Sequence, residues 1–108
     1  MKQYVIDELR PQDYETVKMY FNENLKASSI DGVYWILIER DLLTEEQAAH
    51  TECQPFCFGV DLEPDRLTCE LLVRTQHKLR CGCIGYATEI QRNWVIRHID
   101  GIFEKLEI

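Results

Sequence analysis

Four of the five cysteines in this 108-residue chain fall into two tight groups, Cys53 with Cys57 in "CQPFC" and Cys81 with Cys83 in "CGC", with Cys69 between them. Such groups can hold a metal ion, act as redox or nucleophilic thiols, or simply fill a core as small apolar side chains. Cys53-x3-Cys57 has the loose spacing of a zinc half-site, and Cys81 with Cys83 would supply the other half. His50 and His77 stand close by in sequence as substitute ligands. An odd cysteine count argues against a disulfide framework.

Strand geometry weighs against the zinc reading. If Cys81 and Cys83 lie in a regular strand, their side chains share a face but stand about 6.6 to 6.8 Å apart. Two sulfurs on one tetrahedral zinc must be about 3.8 Å apart. Only a break at Gly82 would bring them together. Alternation also turns Cys57 away from the face of Phe56 and Phe58 and turns Cys69 toward it, so one register does not gather the paired thiols. Ordinary burial is therefore expected over zinc binding, and no cofactor is expected. For thiol chemistry, His77, Lys78 and Arg80 bring positive charge near Cys81. Cys-x-Cys is nevertheless not the Cys-x-x-Cys of thioredoxin-like sites.

Arg74, His77, Lys78 and Arg80, at the tip of an expected hairpin, together with Arg92, could hold a phosphate or carboxylate. The plainer reading is a solvated turn, since no glycine-rich phosphate loop accompanies them. Ser28 and Ser29 lack a nucleophile-elbow context, and no metalloprotease, kinase or EF-hand pattern is present. No catalytic residue is assigned, and the expectation leans away from an enzyme.

The elements that must position these residues follow from periodicity. "KQYVIDEL" reads as a short strand. "RPQDYETVKMYFNENLK" reads as a helix, with Pro11 at its start and Tyr14, Val17, Tyr20, Phe21 and Leu25 on one face. "DGVYWILI" reads as a strand buried on both faces, and Thr44 with Gln47 as a capping box opening a short helix. In "FCFGVDL" and "LTCELLV", strict alternation about a turn at Pro64 and Asp65 pairs Leu62 with Leu67, Val60 with Cys69, Phe58 with Leu71 and Phe56 with Val73. "LRCGCIGYAT" returns as the third strand of a meander. The last helix opens on a Thr88/Gln91 capping box, with Val95, Ile96, Ile99, Ile102, Phe103 and Leu106 as its core stripe. Ile90 and Trp94, near Arg97 and His98, fall opposite that stripe and have the composition of an interface.

The expected fold is a single α+β domain spanning residues 1–108, with a largely antiparallel sheet, a C-terminal three-stranded meander and helices mainly on one face. The net charge of −7 disfavours nucleic acid and anionic membranes as partners. It is uneven: residues 1–70 carry 15 Asp and Glu against 6 Lys and Arg, whereas residues 71–108 carry 4 against 6. With no signal-peptide pattern and no apolar run of spanning length, a cytoplasmic location is expected. The favoured function is a non-enzymatic protein-interaction or regulatory module that forms a homodimer through Ile90, Trp94, Arg97 and His98. Dedicated secretion chaperones are an analogy of size and charge. The alternatives are a thiolate metal site at Cys53, Cys57, Cys81 and Cys83, or a small-anion site at Arg74, Lys78, Arg80 and Arg92.

Overall fold

The structure, a computed structural model, describes residues 1–76 and 81–108. Among the described residues seven strands form one largely antiparallel sheet: β1 (Gln3–Ile6), β2 (Lys26–Ala27), β3 (Val33–Leu37), β4 (Phe56–Glu63), β5 (Arg66–Glu70), β6 (Leu72–Thr75) and β7 (Gly85–Tyr86). Their order is β1-β5-β4-β3-β2, with β6 pairing β4 beyond the end of β5 and β7 pairing β6. The α-helices α1 (Pro11–Asn24), α2 (Glu45–Ala49) and α3 (Glu89–Lys105) pack with this sheet in an α+β fold.

Alternation decides which face of the sheet is the core. Phe56, Phe58, Val60, Leu67, Cys69, Tyr34 and Ile36 point toward α1 and α3 and are buried with Val17, Phe21, Val95 and Ile99. Phe21 of α1 meets Tyr34 of β3 edge to face, at 5.3 Å between ring centroids. At the other end of the sheet the Tyr4 hydroxyl of β1 donates to Asp100 of α3. Both long helices therefore lie across one face. The opposite face carries Trp35, Gly59, Glu70 and Arg74, which line a cavity of about 510 Å³. The strand of "VYWILI" is accordingly buried on one face only: Tyr34 and Ile36 are covered, whereas Val33 and Trp35 are half-buried and Leu37 is exposed.

The turn at Pro64 and Asp65 produces the expected pairs Leu62 with Leu67 and Val60 with Cys69. Beyond them the register shifts by two. Cys57 pairs with Arg74 and Phe56 with Thr75, so Phe58 and Gly59 face the four residues Glu70 to Val73. The extra residues bulge because Leu71 turns to other partners: its N–H donates to the Lys2 carbonyl and its carbonyl accepts from Ala87 N–H. An even shift leaves every side chain on its expected face, so the apolar pattern cannot detect it.

Both capping boxes form. Thr44 Oγ1 accepts from Gln47 N–H at 3.2 Å while Gln47 Oε1 accepts from Thr44 N–H at 3.0 Å. Thr88 and Gln91 repeat the exchange at 3.2 and 3.1 Å. Among the described residues no helix is long and apolar enough to cross a membrane.

Candidate metal centre

The third strand of the meander is much shorter than the sequence suggests. Among the described residues of that segment only Gly85 and Tyr86 are β, and Cys81 to Ile84 form a turn in which Ile84 N–H donates to the Cys81 carbonyl at 3.0 Å. This overturns the premise that set Cys81 and Cys83 apart, because a turn does not impose the strand's side-chain spacing. Two glycines, Gly82 and Gly85, within five residues weaken a strand and were the readable sign.

The opposite wall comes from the end of α2. His50 caps that helix, its N–H donating to the Glu46 and Gln47 carbonyls, and the chain continues into a single 3₁₀ turn, Thr51–Cys53. Cys53 N–H donates to the His50 carbonyl at 3.0 Å, which holds the imidazole and thiol of His50-x2-Cys53 side by side. His50, Cys53, Cys81 and Cys83 thus converge, each offering one ligand atom within 4.8 Å of all the others. His50 Nδ1 lies 3.3 Å from Cys81 Sγ, and Cys53 Sγ lies 3.7 Å from the same sulfur. Around a tetrahedral zinc the corresponding edges are about 3.6 Å for N to S and about 3.8 Å for S to S. The donor set, three thiols and one imidazole, is one that zinc takes in closed structural sites.

Second-layer contacts orient the cluster. Gln47 Nε2 donates to the Cys83 carbonyl at 3.5 Å, and Gln91 Nε2 donates both to Gln47 Oε1 and to the Leu42 carbonyl at 2.9 Å. Gln47 and Gln91 are both buried, so α2, α3 and the cysteine turn are joined by a satisfied polar network. The two N3 residues of the capping boxes therefore meet each other, a contact that sequence reasoning missed.

The thiols differ in acidity. Cys81 is drawn down to about 6, chiefly by hydrogen bonds from the N–H and thiol of Cys83, with His50 and Cys53 adding to the effect. Burial pushes Cys83 up to about 12, and the neighbouring sulfurs push the same way. A proton thus leaves Cys81 before Cys83.

Cys57 is not brought into the cluster. It sits buried on β4 with its thiol 3.6 Å from the Arg74 carbonyl, and burial raises its pKa to about 11. Cys69 lies in the core on β5, raised to about 12 by burial. In the anion group, Arg74 pairs with Glu70 at 3.1 Å on the helix-free face, whereas Arg92 is exposed on α3, across the sheet. The structure does not bring these two together. His77, Lys78 and Arg80 lie outside the described residues. On α3, Ile90 is 70% exposed, Trp94 is half-buried and stacks on His98 at 5.2 Å, and Arg97 is exposed. Compared with protein-family models, curated proteins and solved structures, the chain matches none.

Proposed function

We propose that this chain is a zinc-binding protein whose ligands are His50, Cys53, Cys81 and Cys83, with His50 replacing Cys57 in the set read from the sequence. The observation that carries this reading is the convergence of four donor atoms within 4.8 Å from two segments far apart in sequence. Four protein ligands leave no position for water or substrate, so the ion's role is structural. It would tie the end of α2 to the Cys81–Ile84 turn, between which no strand pairing runs. A reducing compartment, the cytoplasm, suits three reduced thiols. The protein would then act by presenting a metal-stapled surface rather than by catalysis.

The test is metal content and cobalt spectroscopy on the purified full chain. One zinc per chain, replaceable by Co(II) with the visible absorption of tetrahedral thiolate coordination, is the expected result. His50→Ala and Cys81→Ser should each abolish that spectrum, while Cys57→Ser leaves it intact. Equal loss in Cys57→Ser, or no bound metal in the unmodified chain, would overturn the assignment.

A second reading is favoured by one observation, the exposed Ile90 beside the half-buried Trp94, which stacks on the exposed His98. An apolar patch of this kind on α3 would serve as a homodimer contact. Trp94→Ala should then lower the apparent mass in light scattering without changing the circular dichroism spectrum; an unmodified chain that stays monomeric at high micromolar concentration removes the dimer.

A further inference from the structure

We infer that the metal centre is also a redox switch, in which peroxide joins Cys53 to Cys81 as a disulfide and expels the ion; this rests on the zinc reading above. Three observations on the cluster select that pair. The two sulfurs are 3.7 Å apart, so bond formation requires them to close to about 2.05 Å. Cys81 is the accessible thiol of the three, whereas Cys53 and Cys83 are 0% and 4% exposed. Cys53 and Cys81 lie on two separate segments 28 residues apart in sequence, each anchored by its own local hydrogen bonds, Cys53 N–H to the His50 carbonyl and Ile84 N–H to the Cys81 carbonyl. A bond between them therefore leaves both local turns intact. Cys83 also contacts the Cys81 thiol, but it lies two residues away in the same turn, so a bond between those two would have to close inside that turn and would not join the two segments.

The chemistry balances with hydroperoxide as oxidant. The Cys81 thiolate attacks one peroxide oxygen, the O–O bond breaks, and hydroxide leaves, giving a sulfenic acid on Cys81. The Cys53 thiolate then attacks that sulfur, the S–O bond breaks, and a second hydroxide leaves. Two thiolates and one H2O2 become one disulfide and two hydroxides, each sulfur giving up one electron. The two steps together take away two of the ion's four ligands, and the imidazole and Cys83 alone do not retain it. Thiol reductant returns both sulfurs, and zinc then rebinds.

The experiment treats the zinc-loaded full chain with equimolar hydrogen peroxide, follows zinc release with a chromogenic chelator, and maps cross-links by peptide mass spectrometry. One zinc should be released per disulfide, the disulfide should link the Cys53 and Cys81 peptides, and dithiothreitol with zinc should reverse both changes. Zinc released with a different pair linked, or zinc retained through a tenfold excess of peroxide, would overturn the switch while leaving the metal site standing. A chain that never binds zinc defeats the zinc reading first. The cross-link is then read in that chain, where its absence defeats the Cys53–Cys81 pairing as well. Cys53→Ser gives the independent check: Cys81 sulfenic acid should accumulate and react with dimedone, and labelling at another cysteine contradicts the assignment of Cys81 as the attacking thiol.

Discussion

Cys69 and Cys81 carry the same side chain in opposed surroundings. Core burial raises Cys69 from 9.0 to about 12, so its folded form favours the neutral thiol. A pKa raised on folding means that the contribution is complete below pH 9.0 and disappears as pH climbs through the folded value. Cys69→Ala should cost about 1 kcal/mol at neutral pH, a typical effect of core truncation, and should flatten the loss of stability above pH 9.0, as measured by urea unfolding. An unchanged alkaline slope would show that Cys69 does not titrate with unfolding. Metal-free protein at neutral pH should be alkylated by iodoacetamide at Cys81 ahead of Cys57 and Cys69, since thiolate character and access coincide at Cys81 alone among these three. Equal modification of the three would contradict that environment. The candidate chemistry of the cysteines was legible from their types. Their partition into ligands and core residues was not, because it depends on whether Gly82 sits in a strand or a turn.

Between elements, the contact that matters most is the one between the two capping-box glutamines. Gln47 and Gln91 were readable as N3 residues of their own helices, each satisfying a local backbone N–H. That their side chains would meet across α2 and α3, and that Gln47 would reach the Cys83 carbonyl, is a tertiary fact with no local signature. Removing such an outer partner usually costs about 10- to 100-fold in metal affinity. Gln47→Leu should lie in that range by competition with a chelator, and unchanged affinity would show that the network does not orient Cys83. Thr88→Ala, which removes only the N-cap of α3, should cost about 1 kcal/mol in stability and leave metal affinity intact. The β4–β5 hairpin shows the same division. Its turn and first pairs were legible because alternation forbids a one-residue slip, whereas the two-residue bulge at Leu71 keeps parity and was set by Lys2 and Ala87, the residues flanking β1 and β7.

At the scale of the whole molecule, the sheet and its two long helices enclose a core that includes the buried Cys53 and Cys83 of the cluster. Phe58, fully buried at the centre of β4, carries that core, and Phe58→Ala should destabilise by about 3 to 5 kcal/mol. Metal removal should act differently, loosening residues 45–53 and 81–86 while the β3–β4–β5 sheet keeps its protection in hydrogen exchange. The α+β class and the one-sided helices were legible from periodicity alone, because apolar spacing reports directly on which face meets the core. The meeting of His50 and Cys53 with Cys81 and Cys83 was not, since it joins segments that share no strand pairing. Native mass spectrometry of the full chain purified without added chelator tests this centre most directly. A mass increment of one zinc, lost in His50→Ala and kept in Cys57→Ser, is the expected result; a chain carrying no metal, or one whose metal survives His50→Ala, contradicts it.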